Sequence, residues 1–326
     1  MDILRQMKRI VNLLLCVLLV SCAAEVTPLS PTQQIPSQPV AASTALPEKI
    51  TNSQLPIAQP SRTRRPTAIA LPTLTATATF PPGITPTVSA DWKSLPVIPI
   101  IDPSINKIYE YGQTLGNDPH AFSIFGDCQS RPDEFFGVFE TDSDFVSTLS
   151  PELQETVENF QGSFNRESPT SKDGTTPGSL LWAAWHQGEF TCSFAETPVE
   201  CELRIHRPSF VIIQVGTHFE SRNTEYLRRI ILQLMDAGVV PILATKADNR
   251  EKDERINRDM SMLASEYDLP LWNFWAAVSD LPDRGLYTRS DRPLQGPIYL
   301  TEEAAAIHRM TGLEALNAVW RVATMQ

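Results

Sequence analysis

Histidine, cysteine and basic residues are all scarce in this sequence of 326 residues. It contains five histidines and five cysteines, and these do not stand at the spacing that zinc ligands use. We therefore predict neither a metal site nor a cofactor. Lysine and arginine total 27 against 38 acidic residues, which gives a formal net charge of -11 and argues against a nucleic-acid partner. The sequence shows no internal repeat and gives no indication of an oligomeric state.

The apolar run near the amino terminus is too short to span a membrane comfortably, which takes about 20 residues. It occupies residues 11–20, follows a pair of basic residues and stops just before Cys22. This pattern resembles the signal peptide and lipobox of bacterial lipoproteins. We expect residues 1–21 to be removed as a signal peptide and Cys22 to be acylated. The chain would then be lipid-anchored to the membrane at the bacterial cell surface or another extracytoplasmic site. An ordinary signal peptide or membrane anchor is the alternative.

Residues 22–90 are short of large side chains. Proline, threonine, serine, alanine and glutamine dominate there, as in LPTLTATATFPPGITPT. Proline favours extended backbone, and few of these side chains offer surface to bury. We predict a disordered tether, followed by one folded domain at residues 91–326. That domain is long enough for a sizeable core and holds all six tryptophans.

Few cysteines remain to form disulfides once the signal peptide is removed. Cys192 and Cys201 flank a short polar stretch that can turn back on itself, so we predict a disulfide between them. In an oxidising compartment such a bridge stabilises the fold by about 2–3 kcal/mol. Cys128 is then the odd thiol. The alternative is that Cys192 and Cys201 are free and buried.

Alternating strands and helices are the clearest pattern in the domain. Short apolar runs occur at SFVIIQVG (209–216) and VVPILATKAD (239–248), and an amphipathic helical stretch follows each. HAFSIFGD (120–127) and LPLWNFW (269–275) are the other predicted strands, and a long last helix opens at Thr301. Strands joined by helices of this length pair in parallel with right-handed crossovers. The pattern predicts an α/β fold, a three-layer α/β/α sandwich with a central parallel sheet.

Polar residues follow three of the predicted strands. In parallel sheets, ligand-binding and catalytic residues usually lie at the carboxyl ends of the strands. We predict ligand-binding roles for the residues found there, and a solvated loop is the alternative for those after the third strand. The residues are Asp127, Thr217, Lys246, Asp248 and Asn249. The irregular, aromatic segment 135–207 is expected to form a rim over this site.

Three of these stretches together resemble the SGNH, or GDSL-type, hydrolases, a family of esterases and lipases. GDCQS (126–130) is similar to the family's Gly-Asp-Ser block and VIIQVGTHF (211–219) to its third block. GPIYLTEEAAAIH (296–308) is similar to its fifth block, Asp-x-x-His-Leu-Thr. Order and spacing agree, and the resemblance spans most of the folded domain. It implies the flavodoxin-like form of the predicted sandwich.

The resemblance also reveals that four side chains which carry the family's chemistry are replaced. The nucleophilic serine falls on Cys128. The general-base histidine falls on Tyr299, and the aspartate three residues before it falls on Gly296. The oxyanion-binding asparagine falls on His218. The family's serine mechanism is therefore not available, because tyrosine is a poor base at neutral pH and glycine has no carboxylate.

The resemblance leaves three functions open. We expect a pseudo-hydrolase that acts by binding, with an ester or acylated carbohydrate as its ligand by analogy with the family. The alternative is an active, divergent ester or thioester hydrolase with Cys128 as nucleophile and His218 as base. A surface interaction protein with a vestigial cleft is the third. Gly174 and Gly178 are the candidates for the family's oxyanion-hole glycine.

Two further features of the domain involve histidine. His308 lies within the last predicted helix, where we expect it to be exposed or to act as a cap. His186 follows Trp182 and Trp185 in WAAWHQ. We interpret these tryptophans as core or rim packing, with a sugar-stacking platform as the alternative.

Overall fold

Four parallel strands form the central sheet, in the order β1-β2-β3-β4. The computed structural model describes residues 91–325. Ile212 in β2 pairs with Ile124 on one side and Ile242 on the other. The strands are β1 (Asp118–Gly126), β2 (Pro208–Gln214), β3 (Val240–Ala244) and β4 (Leu271–Trp272). The parallel sheet predicted from the sequence is confirmed.

Ten α-helices occur within residues 91–325. The long helices expected after the second and third strands and at the carboxyl end are Asn223–Asp236 (α7), Arg255–Glu266 (α8) and Glu302–Ala323 (α10). Thr301 caps α10, since its hydroxyl accepts a hydrogen bond from the Ala304 N–H at 3.3 Å. The ten are α1 (Ile105–Leu115), α2 (Val138–Thr141), α3 (Ser143–Ser147), α4 (Pro151–Asn159), α5 (Pro177–Leu180), α6 (Pro198–Ile205), α7 (Asn223–Asp236), α8 (Arg255–Glu266), α9 (Phe274–Ala277) and α10 (Glu302–Ala323).

The two faces of the sheet carry separate apolar cores. Because successive side chains of a strand point to opposite faces, Phe210 and Ile212 of β2 pack on one side with α4 and α10. Val211 and Ile213 pack on the other side with α7 and α8. All four are buried. Helices therefore cover both faces, which confirms the predicted three-layer α/β/α sandwich.

The last predicted strand is shorter than the run LPLWNFW. Only Leu271 and Trp272 pair with β3. Asn273 then ends the strand, because its side chain accepts a hydrogen bond from the Ala276 N–H and starts α9. The apolar residues after Asn273 belong to that short helix.

A small antiparallel hairpin stands between this region and α10. It consists of β5 (Leu286–Tyr287) and β6 (Tyr299–Leu300), and Tyr287 pairs with Tyr299. The segment 288–298 connects the two strands. Tyr299 lies in the second strand of this hairpin and Gly296 in the segment that connects the two strands. Both positions are therefore outside the central sheet.

The segment 135–207 contains more helix than the sequence pattern predicted. Five short helices, α2 to α6, lie within it. Ser150 caps α4 and Thr197 caps α6, in each case directly before a proline. These cap-proline pairs are helix-start signals, but the helices that follow are too short to show a clear period.

The disulfide between Cys192 and Cys201 is confirmed. Their Cα atoms are 5.3 Å apart, and the bridge joins the start of α6 to the loop before it. Cys128 is a free and buried cysteine, as the pairing predicts.

The predicted signal peptide, the lipidation site Cys22 and the tether at residues 22–90 lie outside the described residues. Within residues 91–325, each helix is too short or too polar to cross a bilayer.

Candidate functional site

A cleft of about 200 Å³ lies beyond the carboxyl ends of β1 and β2. Residues from both strand ends meet segments that are distant in sequence, including the hairpin before α10. Three of the four positions that the motif resemblance aligned with the family's catalytic side chains line it. The lining residues are Cys128, Asp173, Gly174, His218, Arg292, Gln295 and Tyr299.

Asp127 connects the first strand end to His218. One carboxylate oxygen accepts a hydrogen bond from the Gln129 N–H at 3.4 Å and so caps the 3-10 turn that begins at Cys128. The other oxygen lies 3.8 Å from His218 Nδ1. Neither of these two atoms has a hydrogen-bond partner in the described part of the chain. The buried carboxylate therefore lies near the imidazole, at a separation too long for a hydrogen bond.

The thiol of Cys128 is held in its neutral form. The side chain is 9% exposed, and the acceptor that it contacts is Asp127 Oδ1, at 3.9 Å. Burial raises the pKa of the Cys128 thiol far above its usual range, and the charges of Asp127, Asp173 and Asp248 raise it further. A thiolate is the nucleophilic form of cysteine, so this environment opposes nucleophilic catalysis.

Tyr299 is the residue that the motif resemblance aligned with the family's base, and its hydroxyl is hydrogen bonded in the structure. It donates a hydrogen bond to Gln295 Oε1, and Arg292 Nη1 lies 3.5 Å from the same hydroxyl. Gly296 has a φ of +74° and open space around its Cα. The structure thus brings Tyr299 to the cleft without any carboxylate from position 296.

Two arginines meet one carboxylate at the edge of the cleft. Asp173 Oδ1 lies 3.4 Å from Arg131 Nη1, and Asp173 Oδ2 lies 3.4 Å from Arg292 Nη1. Arg131 also binds Asp133 at 2.8 Å. The cleft therefore offers charges of both signs, each already paired, rather than one uncompensated charge.

A second, smaller cavity of about 40 Å³ lies beside the first. Cys128 and Tyr299 line both, so these two side chains separate the cavities. Tyr287, Arg289 and Glu134 line the small one. Together the two cavities fall short of the 300–1,000 Å³ that a drug-sized ligand usually fills.

The residues after β3 form a buried network of charges. Lys246 Nζ donates to Asp248 Oδ1 at 2.8 Å and to Glu251 Oε2 at 2.6 Å. Thr217 Oγ1 donates to Asp248 Oδ2 at 2.8 Å. Thr217, Lys246 and Asp248 are each less than 5% exposed. Three of the predicted binding residues are thus brought together, beneath the surface and bonded to one another.

Asn249 lies at the edge of this network. Its side-chain oxygen accepts a hydrogen bond from the Glu254 N–H at 3.0 Å, which fixes the loop before α8. None of the five predicted binding residues, all within residues 91–325, is part of the cleft lining, although Asp127 lies 3.8 Å from the lining residue His218.

The two candidate oxyanion glycines have different surroundings. Gly178 donates its N–H to Glu220 Oε1 at 2.7 Å, so this donor is occupied. Gly174 lines the cleft and has a φ of +81°, a conformation that favours glycine. Of the two, Gly174 is the one that the fold brings to Cys128.

The expectation for His308 is wrong. His308 is fully buried and packs 4.1 Å from the Phe135 ring centroid. Its Nε2 atom is hydrogen bonded to the Gln214 side chain, whose Oε1 accepts from Ser130 Oγ at 2.9 Å. Burial holds the pKa of His308 well below its usual range. The spacing of four residues from Ala304, another buried position of α10, was the signal for this placement.

Asp173 and Arg292 are cleft residues that sequence reasoning missed. Both come from irregular segments, and their contact joins residues 119 apart in sequence. No local pattern marks such a pair. Within residues 91–325 there is no cluster of three or more histidine, cysteine or acidic side chains that could hold a metal ion.

Comparisons with known proteins match this chain to solved structures alone. No family model matches the chain, and no curated protein is similar to it. Among solved structures, it is similar to a GDSL-like lipase from Bacteroides thetaiotaomicron, with 14% identity and a TM-score of 0.37 over 66% of this chain and 98% of the lipase. It is also similar to a "putative acylhydrolase" from Bacteroides fragilis, with 14% identity and a TM-score of 0.41 over 72% and 100% of the two chains. At this level of sequence identity, the structural similarity concerns the fold and not the function.

Proposed function

We propose that this chain is a lipid-anchored extracytoplasmic protein whose domain binds an ester or acylated carbohydrate without hydrolysing it. The ligand would sit in the cleft lined by Cys128 and His218, at the carboxyl edge of the sheet. The choice of ligand rests on the resemblance of the sequence motifs to SGNH hydrolases. The anchor rests on the lipobox-like pattern that ends at Cys22.

One observation carries the non-catalytic part of this proposal: the Cys128 thiol is buried and lies 3.9 Å from a carboxylate oxygen of Asp127. Its pKa is raised by burial and then by three acidic neighbours. An efficient cysteine nucleophile needs the opposite, a cationic neighbour that lowers the pKa. Gly296 adds no carboxylate, and the Tyr299 hydroxyl is hydrogen bonded to Gln295.

The polar lining of the cleft supports binding. Asp173, Arg292 and Gln295 present planar groups with several donors and acceptors. Such groups suit a ligand with many hydroxyl or carbonyl oxygens. The left-handed backbone at Gly174 lets the chain turn beside the cleft without placing a side chain in it.

A second candidate function is hydrolysis with Cys128 as nucleophile, His218 as base and Asp127 as the residue that orients it. The favouring observation is the 3.8 Å separation of His218 Nδ1 from Asp127 Oδ2. In this reaction His218 would take the thiol proton, the sulfur would attack the ester carbonyl, and the C–O bond would break as the alcohol leaves with that proton; water would then hydrolyse the thioester and free the thiol. The raised pKa of Cys128 counts against it.

The deciding experiment measures hydrolysis and binding on the same full-length protein. Hydrolysis is followed with short-chain aryl acetates, and binding is followed by calorimetry with acetylated xylo-oligosaccharides. Wild type is compared with Cys128→Ala and His218→Ala. We expect no hydrolysis above the Cys128→Ala background, and saturable binding that survives Cys128→Ala.

A matched pair of arginine variants tests the location of the ligand. Arg292→Ala removes a guanidinium from the cleft and should weaken binding. Arg228→Ala breaks an ion pair with Glu266 between α7 and α8, away from the cleft lining, and should leave binding unchanged. Hydrolysis that disappears in both Cys128→Ala and His218→Ala would establish the second candidate. Absence of both hydrolysis and binding would refute both.

A further inference from the structure

The loop between α5 and α6, residues 181–197, is held rigidly at the side of the domain. The disulfide between Cys192 and Cys201 ties it to α6. His186 is 1% exposed, and both of its ring nitrogens are hydrogen bonded at 2.8 Å to backbone groups of the loop. We call residues 181–197 the aromatic loop, because they include Trp182, Trp185, Phe190 and Phe194. A loop anchored in this way loses little entropy when a ligand binds to it.

Two tryptophans of the aromatic loop stand one turn apart. Trp185 donates its backbone N–H to the Trp182 carbonyl at 3.0 Å, which closes a single 3-10 turn. Trp182 itself has extended backbone, with φ -113° and ψ 111°, and stands just before the turn that Trp185 ends. Trp182 is 60% exposed, far more than an indole that packs in a core. The turn therefore offers aromatic surface to the solvent.

The aromatic loop adjoins the cleft. A Cβ atom placed on Gly174, which lines the cleft, would lie 3.9 Å from the Trp185 ring. Lys172 binds Glu189 at 2.7 Å and so fixes the loop to the same segment that carries Gly174. Trp185 therefore lies beside the Gly174 part of the cleft lining. A ligand that leaves the cleft over Gly174 meets the indole.

The chemistry of the surroundings favours a glycan over a membrane. Lys172 and Arg204 near the loop are already paired with Glu189 and Glu196, so these cations are not free for anionic lipid headgroups. The adjoining cleft is polar, whereas the tryptophans present apolar faces. Sugar rings suit both the polar cleft and the apolar indole faces, since they carry hydroxyls at their edges and C–H groups on their faces. A volume of about 200 Å³ also leaves room for only a short part of a chain.

We propose that Trp182 and Trp185 form an aromatic subsite that binds the sugar rings of a glycan next to the acylated unit held in the cleft. This inference rests on the proposed binding function and extends it. It assigns the ligand to oligosaccharides rather than to single esters. It also predicts that affinity grows with chain length until the ligand reaches the tryptophans.

Chain-length dependence of binding provides the test. The full-length protein is titrated by calorimetry with acetylated xylobiose and acetylated xylohexaose, for wild type, Trp182→Ala and Trp182→Phe. We expect wild type to bind the hexaose more tightly than the biose. Trp182→Ala should weaken hexaose binding about tenfold, as for the loss of one well-placed aromatic contact, and leave biose binding unchanged. Trp182→Phe should retain most of the affinity.

The control and the remaining outcomes separate the subsite from the cleft. Ile100→Ala, at an 86% exposed position that lines a different cavity, should change nothing. Hexaose binding that is unaffected in Trp182→Ala would overturn the subsite and leave cleft binding in place. Failure of wild type to bind either sugar would overturn both proposals. Binding of phosphatidylglycerol vesicles that is lost in Trp182→Ala, without chain-length dependence for sugars, would overturn the subsite in favour of membrane contact.

Discussion

At the scale of single residues, the surroundings of Cys128 decide which chemistry the cleft allows. The same side chain would be reactive beside a cation and is protected beside carboxylates. Burial is the largest influence on its pKa, followed by Asp127, Asp173 and Asp248. Two of these three neighbours are structural, since Asp127 caps a turn and Asp248 belongs to the network around Lys246. Asp173 can be changed without loss of a buried partner, because its side chain is 41% exposed.

Alkylation of Cys128 should therefore respond to Asp173. An ordinary thiol with a pKa near 8.5 is about one-tenth ionised at pH 7.5, and Cys128 should be ionised far less. We expect iodoacetamide to react at least tenfold more slowly with the folded chain than with the urea-unfolded chain at pH 7.5. Asp173→Asn removes a negative charge, lowers the pKa of Cys128 and should accelerate the reaction of the folded protein severalfold. The readout is the rate of mass gain at Cys128.

Asp133→Asn is the matched control for this experiment. Asp133 also binds Arg131, but it is not among the groups that raise the pKa of Cys128. Its substitution should leave the alkylation rate unchanged. Rapid alkylation of the folded wild type that is slowed by His218→Ala would instead indicate a thiolate assisted by imidazole, in agreement with the second candidate function.

Whether a cleft residue could be predicted from the sequence depends on how the fold positions it. Cys128 and His218 come directly after buried strands, and the ends of parallel strands meet at one edge of the sheet. Their placement thus followed from local pattern. Asp173 and Arg292 reach the cleft from irregular segments through a contact between distant parts of the chain. Lys246 and Asp248 were predicted at the correct edge, but their mutual burial depends on side-chain packing that periodicity does not describe.

At the scale of secondary structure elements, the packing of α10 on the sheet shows both the strength and the limit of sequence patterns. The helix start at Thr301 was predictable because a threonine cap followed by glutamates is a local signal. The buried face was harder to read, because its small and polar members, Ala304, His308 and Gly312, weaken the apolar stripe. His308 fills this face by stacking on Phe135 and by hydrogen bonding to Gln214 of β2.

This placement makes stability depend on pH. The pKa of His308 is well below its usual value of about 6.5 in the folded state, because burial disfavours the charged ring. As pH falls below 6.5, the unfolded chain takes up a proton at His308 and the folded chain does not. The free energy of unfolding should therefore fall by about 2 kcal/mol from this residue between pH 7 and pH 5. The pKa of His206, lowered to about 4 mainly by burial, acts in the same direction.

Urea unfolding at pH 7 and pH 5 measures this effect. His308→Leu lowers stability at pH 7, since it leaves the Gln214 amide without its partner. Its difference in stability between the two pH values should nevertheless be smaller than that of wild type by about 2 kcal/mol. His120→Gln, at an exposed position, should retain the wild-type difference. An unchanged pH dependence in His308→Leu would show that His308 takes up its proton in the folded state as well.

At the scale of the whole molecule, the proposed arrangement is an anchor, a tether and a binding domain in sequence. The folded domain uses nearly three-quarters of the chain, residues 91–326 of 326. A cleft that binds without turnover is most useful when it is held at a fixed surface. There, several weakly bound copies can engage one polymeric glycan, and their effective concentration raises the overall affinity. Cys22 is then as important to the proposed function as the cleft residues.

The anchor can be tested directly in bacteria that process lipoproteins. If Cys22 is acylated, the full-length chain should partition into the detergent phase of a Triton X-114 extract, because each buried methylene of an acyl chain contributes about 0.8 kcal/mol. Cys22→Ser removes the acylation site and should prevent lipid labelling with a palmitate analogue. Cys16→Ser is the matched control, since Cys16 lies within the apolar run and before the expected cleavage point. It should be labelled and processed like wild type. Labelling that persists in Cys22→Ser would exclude this cysteine as the anchor, while processing without any lipid in wild type would favour an ordinary signal peptide and a released protein.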